Sequence, residues 1–193
     1  ALSTVGVNVN FAPVVDIDFG VKNHGDRWTR ISRRAISSDP AVVAEAARWY
    51  CEALWTEGVR CTRKHFPGLG RIRNNTDFSS TGITDDVTDA DDPFLAPFTS
   101  GVKAGAGLVM VGSAIYPALG PRPTMFEPKI VRGELRTRLG FKGVTITDAM
   151  GTVAVNNFGG TKRAAISAAH AGMDILLYGD WQSAAQGRVA IAS

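Results

Sequence analysis

Short apolar runs that alternate with helical patterns restrict what this chain can fold into. The runs are "VGVNVNFAPVV" (5–15, stopped by Pro13), "VRCTRKHF" (59–66), "GLVMVGSAIY" (107–116), "GVTITDAM" (143–150) and "MDILLYG" (173–179). Each is bounded by Gly, Pro or Asp, so each reads as a strand, near 5–11, 59–66, 107–114, 143–148 and 173–178. Between them, "DPAVVAEAARWYCEALWTEG" starts a helix with Asp39 as N-cap and Pro40 in the first turn. Its apolar positions are 42, 43, 46, 47, 50 and 54, and Gly58 closes it. "EPKIVRGELRTRLG" repeats the device, with Ile130, Val131, Leu135 and Leu139 on one face and Gly140 at the end. "TKRAAISAAHAG" is a third helix, and "DDPFLAPFTSGVKAG" a fourth that Pro97 interrupts.

Strand, helix, strand, helix with near-continuous apolar strands means a parallel α/β sheet covered on both faces. An open doubly wound sheet and an eight-fold barrel both satisfy that pattern. No G-x-G-x-x-G follows the first run, and "GLGRIR" lacks the Lys-Ser/Thr of a phosphate loop, so nucleotide-binding versions lose support.

The chain has 193 residues, the size of a single domain, 1–193. At 45% hydrophobic and 20% charged it can bury a core. The net charge of +3 is scattered, and its densest cluster, Arg27 to Arg34, is broken by Trp28 and Ile31, which argues against nucleic acid as a partner. No apolar run approaches the ~20 residues of a membrane span. Cys51 and Cys61 are too few for a disulfide framework and are expected as two buried thiols. The first residues read as the inside of a strand, with no signal peptide, so the natural start is expected upstream. The compartment stays open between the cytoplasm and a secreted or lipoprotein location, as does the oligomeric state.

Polar groups gather where the runs end: Asp16 and Asp18, Lys64 and His65, Ser113 and Tyr116, and Asp148. In a parallel fold those ends share one side, and in a barrel that side is the catalytic face. Strict alternation would turn Lys64 and His65 to opposite faces, but the end of a strand can deliver both to the mouth. His65 reads equally as a core histidine bonded to a carbonyl, and Asp148 as the N-cap of a following helix. His24, His65 and His170 have no paired ligand spacing, so no metal is expected. His170 reads as a helix C-terminal cap. A Ser113–His65–Asp148 triad lacks a nucleophile elbow.

"KHFPGLG", with "NVNFAPVVDID", "GELRTRLGFKGVTITDAM" and "AAHAGMDILL", resembles glycoside hydrolase family 3. The likeness runs over almost the whole chain and is nearest the β-N-acetylglucosaminidase branch, in an actinobacterial-type variant. It implies a (β/α)8 TIM barrel, here a partial barrel covering roughly strands 3 to 7. It implies retaining hydrolysis of terminal β-linked N-acetylglucosamine or related β-glycosides through a covalent glycosyl-aspartate, and a part in peptidoglycan recycling. Asp148 matches the nucleophile. Arg34, Lys64 and His65 match groups that bind sugar hydroxyls, and Asp16 a group behind them that orients these cations. No cofactor is implied, and the partner is a small-molecule or oligosaccharide substrate. A full barrel needs ~250 residues. The likeness therefore implies a piece of a longer hydrolase, lacking a "DQEGG" segment upstream and strand eight downstream.

The chain departs from the family in two places. Leu69 replaces the histidine of "GHG". In "NNTDF", Asn75 and Asp77 stand where an Asp-His acid/base dyad is expected. Asp77 reads either as a substitute acid, raised by burial, or as a turn residue. Without an acid, the domain would bind sugar, peptidoglycan fragments or a protein without turning substrate over. The segment 69–84, poor in large apolar anchors, is expected to be mobile and to lie open over the mouth.

Overall fold

The computed structural model describes residues 2–23 and 31–193. His24 and Arg27 to Arg30, which figured in the sequence argument, lie outside the described residues. The main sheet is formed by β1 (Val9–Asn10), β2 (Arg60–Phe66), β3 (Leu108–Val111) and, after a small antiparallel hairpin of β4 (Ile115–Tyr116) and β5 (Gly120–Pro123), β6 (Val144–Thr147). Every pairing in it is parallel and the spatial order follows the chain. A further parallel bridge joins Ile146 to Ile175. Sequential parallel neighbours with no reversal of order make a barrel sector rather than an open doubly wound sheet.

The strands are shorter at both edges than expected. At the first edge, residues 3–5 close a 3-10 turn, and the chain beyond β1 follows β2 only through separate bonds. In these, Thr62 N–H donates to Ala12 O (2.8 Å) and Val15 N–H to Lys64 O (2.7 Å). At the last edge, the Asp174 carboxylate accepts from Thr145 N–H (2.7 Å), taking a place that a carbonyl would hold in a longer ladder.

Most of the helices cover the outer face. They are α1 (Ile31–Arg34), α2 (Pro40–Thr56), α3 (Ala96–Lys103), α4 (Val153–Asn157), α5 (Gly160–Ala171) and α6 (Trp181–Ala192). Asp39 caps α2 through Ala41 N–H (2.8 Å), as its sequence dictates. Only part of the apolar stripe expected on α2 is buried, Val43 and Ala47 fully, while Val42 and Tyr50 stay exposed. Pro97 does not break α3; it sits in the first turn, where its missing N–H costs nothing. The "EPKIVRGELRTRLG" segment winds as a π-helix, Lys129–Arg138, with Ile130, Val131 and Leu135 buried. Gly172 ends α5 in a left-handed conformation, so it, rather than the exposed His170, is the cap.

Packing across the layers uses aromatic pairs. Phe66 meets Phe98 of α3 edge to face, with centroids 5.2 Å apart, and Phe126 stacks on Phe158 at 4.4 Å. Cys51 and Cys61 are joined in a disulfide, correcting the expectation of two thiols. Spacing in sequence could not reveal it. The fold brings the last turns of α2 over the start of β2, with the two Cα atoms 5.3 Å apart.

A disulfide closing so short a loop contributes about 2–3 kcal/mol. Reducing it, or replacing both cysteines (Cys51→Ser with Cys61→Ala), should lower the thermal midpoint by roughly 5–10 °C in calorimetry. An unchanged midpoint would show that the bridge does not constrain the fold.

Candidate active site

The site is built from the end of β2 upward. Cys61 and Arg63 face the helix layer, and Lys64 turns inward. Strict alternation would send His65 back out. The register against β3 slips between Arg63 and Phe66, so His65 joins Lys64 in the mouth and Phe66 returns to the helices. This resolves how two consecutive side chains reach one cavity.

Beneath them lies Asp16, fully buried. Its Oδ1 accepts from His65 N–H (3.2 Å) and Leu69 N–H (2.7 Å), and Oδ2 lies 2.8 Å from His65 Nδ1. Burial by itself would raise this carboxyl. Attraction to His65 and the hydrogen bonds from His65 and Leu69 outweigh it and hold the group below its ordinary value. An ionised Asp16 fixes the proton on Nδ1 and leaves Nε2 facing the mouth. Sequence reasoning gave Asp16 the cations to orient; its bonds go to His65.

Nε2 is 3.9 Å from Oδ2 of Asp148, too long for a hydrogen bond. Asp148 follows β6. Its N–H donates to Val111 O (2.9 Å), and its Oδ1 accepts from Ala149 N–H (2.8 Å). It is not the cap of the helix that follows, because Thr152 caps α4. Its side chain keeps 19% exposure, enough to meet a ligand.

Arg34, Lys64, His65, Asp77 and Asp148 line one cavity of about 250 Å³. That is small on the scale of ligand pockets. Burial, then the charge of Arg34, lowers the Lys64 ammonium, while Asp148 and Asp16 pull the other way. Arg33, by contrast, is exposed. Asp18 closes a turn onto Gly20 N–H (2.8 Å), and Tyr116 donates from beneath the loop to Gly68 O (2.5 Å). Ser113 is buried with its hydroxyl unpaired and does not line the cavity, so no triad with His65 and Asp148 forms. Among the described residues, no group of three or more His, Cys, Asp or Glu side chains could hold a metal ion.

The segment 69–84 does not lie open. Thr76 O and Asp77 O accept from Ala154 N–H (3.2 Å) and Val153 N–H (3.1 Å), so the loop satisfies the otherwise unpaired start of α4. Asn75 Oδ1 accepts from Asp77 N–H (2.9 Å), the turn chemistry its composition suggested. Arg71 anchors the loop's base: it donates to Asp92 (2.5 Å) and sits over the rings of Phe19 and Phe94. Gly70 is needed for close approach, since a Cβ there would meet Ile17 O at 1.9 Å. These bonds, together with buried Leu69 and Ile83, close the loop over the mouth. Sequence reasoning missed Asn23, Arg73 and Asn74, which also line the cavity; aperiodic loop residues give no positional signal.

Asp16→Ala leaves the buried His65 ring and the Leu69 amide unpaired and should cost about 3 kcal/mol. Because the folded carboxyl is held low, its stabilisation is complete above the unfolded value near 4 and is lost as pH falls through the folded value. The gap in urea midpoint between the two proteins should therefore narrow in acid. A gap that stays constant down to pH ~2 would contradict the ionised assignment.

The chain and its fold have counterparts. A β-hexosaminidase of Xanthomonas campestris pv. campestris (strain B100) is 38% identical over 174 residues, covering 89% of this chain and 50% of the relative. One from Xylella fastidiosa (strain M23) is 36% identical over 172 residues, covering 89% and 49%. The crystal structure of a β-N-acetylhexosaminidase from Beutenbergia cavernae superposes with a TM-score of 0.89 at 34% identity, covering 99% of this chain and 57% of that one. A glycoside hydrolase family 3 β-N-acetylglucosaminidase from Paenibacillus sp. FPU-7 superposes with a TM-score of 0.84 at 27% identity, covering 98% and 36%. The chain thus spans about half the length of the curated relatives it matches. The family profile described as "Glycosyl hydrolase family 3 N terminal domain" matches residues 1–190, and the chain belongs to that family.

Proposed function

We propose that this chain carries the catalytic mouth of a retaining β-N-acetylhexosaminidase that removes terminal β-linked N-acetylglucosamine. The observation that carries the proposal is one small cavity in which Asp148 stands beside His65 and shares the wall with Arg34, Lys64 and a second carboxylate, Asp77. A retaining glycosidase needs a carboxylate to attack the anomeric carbon and an acid to protonate the leaving oxygen. Asp148 attacks; the glycosidic C–O bond breaks and its electron pair goes to the leaving oxygen, which takes a proton from Asp77. Water, deprotonated by Asp77, then releases the sugar from Asp148. Lys64, Arg34 and His65 Nε2 hold hydroxyls so that attack is effectively unimolecular. The β-hexosaminidase relatives support the sugar class.

The Cys51–Cys61 disulfide favours an oxidising compartment and a secreted or lipoprotein location. A second reading, a sugar-binding domain without turnover, is favoured by Asp77, which stands where the family resemblance expects the histidine of the acid/base dyad.

Asp148→Asn should preserve the fold and lower turnover of an aryl β-N-acetylglucosaminide at least ~100-fold. Turnover at the parent rate would remove Asp148 as nucleophile. Asp77→Ala should slow substrates with poor leaving groups far more than activated aryl glycosides, because only the former need protonation. Equal slowing of both classes, or of neither, would make Asp77 a loop residue only. Calorimetric binding of N-acetylglucosamine by a parent protein that hydrolyses nothing would favour the binding domain.

A further inference from the structure

A second cavity, of about 380 Å³, opens at the opposite end of β2 from the mouth, between the last turns of α2 and α3. Its wall is mostly apolar: Trp55, Val59, the Cys51–Cys61 bridge, Ala104 and Ala106. Set into that wall is the side chain of Arg63, at 2% exposure. Gly101 of α3 makes room for it, since a Cβ there would lie 2.2 Å from Arg63 Nε. Arg63 Nη1 donates to Pro97 O (2.8 Å), while Nε is buried without a partner. No carboxylate pairs with Arg63 among the described residues. Glu52, also in the wall, is taken by Arg48 Nη1 at 2.7 and 2.8 Å. Arg60, at the rim, lies 3.7 Å over the Trp55 ring with no acidic partner among the described residues. Burial pulls the Arg63 guanidinium down to about 10, the mark of a cation stripped of water without a counter-charge.

We propose that this cavity binds a small amphipathic monocarboxylate, its carboxylate accepting from Arg63 and Arg60 and its apolar body lying on Trp55, Val59 and the disulfide. A carboxylate supplies the missing counter-charge and planar acceptors for guanidinium N–H groups. The apolar wall excludes a ligand that is all charge, such as inorganic phosphate. The site shares no wall residue with the mouth, so it stands or falls independently of the glycosidase proposal.

Titration calorimetry of the full chain with sodium octanoate, octanamide, acetate and inorganic phosphate tests the assignment. Octanoate should bind saturably at one site, with the other three at least tenfold weaker. Arg63→Met should weaken octanoate at least tenfold. Ala104→Trp, at an exposed rim position that does not threaten the core, should do the same by filling the cavity. The proposal is overturned if octanoate shows no saturable binding, if octanamide or phosphate binds as tightly, or if folded Ala104→Trp binds octanoate like the parent.

Discussion

The buried Asp16 carboxylate is the constraint on which the mouth depends. An ion with no exposure must be matched by donors, and three converge on it: the His65 amide, the His65 ring and the Leu69 amide. Those bonds tie the segment after β1 to the end of β2 and to the first turn of the loop. His65 is thereby fixed in orientation with Nε2 toward Asp148, and the Pro-Gly turn is fixed with it. Tyr116 reinforces the same point from the hairpin, through Gly68 O. Disrupting Asp16 would therefore disturb the ring, the turn and the loop together.

The loop belongs to the same construction. Its base is held by Arg71 over two aromatic rings, and its tip gives Thr76 and Asp77 carbonyls to the start of α4. Helix α4 in turn follows Asp148 by a few residues. The two carboxylates of the cavity, Asp77 and Asp148, are thus linked through one short helix, which sets their placement relative to each other. β2 serves both ends of the domain. Its inward residues furnish the mouth, and Cys61 and Arg63, turned outward, furnish the disulfide and the cation of the second cavity.

Much of this was legible in sequence because it follows from period and punctuation. The apolar runs became parallel neighbours in chain order, and Asp39–Pro40 started α2 as written. The polar groups at strand ends were found, and Asp16, Lys64, His65 and Asp148 do converge. What failed depends on long-range geometry. The Cys51–Cys61 pairing required knowing that the end of α2 overlies the start of β2. The closed loop required knowing that α4 would offer unpaired N–H groups to its carbonyls. Ser113 ends an apolar run as His65 does, but it is buried and does not line the cavity, and polarity at a strand's end does not distinguish the two.

The claim that Asp148 attacks the sugar while Asp16 and His65 support the site is tested most directly by trapping. A 5-fluoro N-acetylglucosaminyl fluoride slows breakdown of a glycosyl-enzyme, so the adduct can be located by peptide mass spectrometry. The account predicts one covalent N-acetylglucosaminyl derivative, on the peptide bearing Asp148 and at that residue. An adduct on Asp77 or Asp16, or hydrolysis of substrate with no adduct at all, would contradict it.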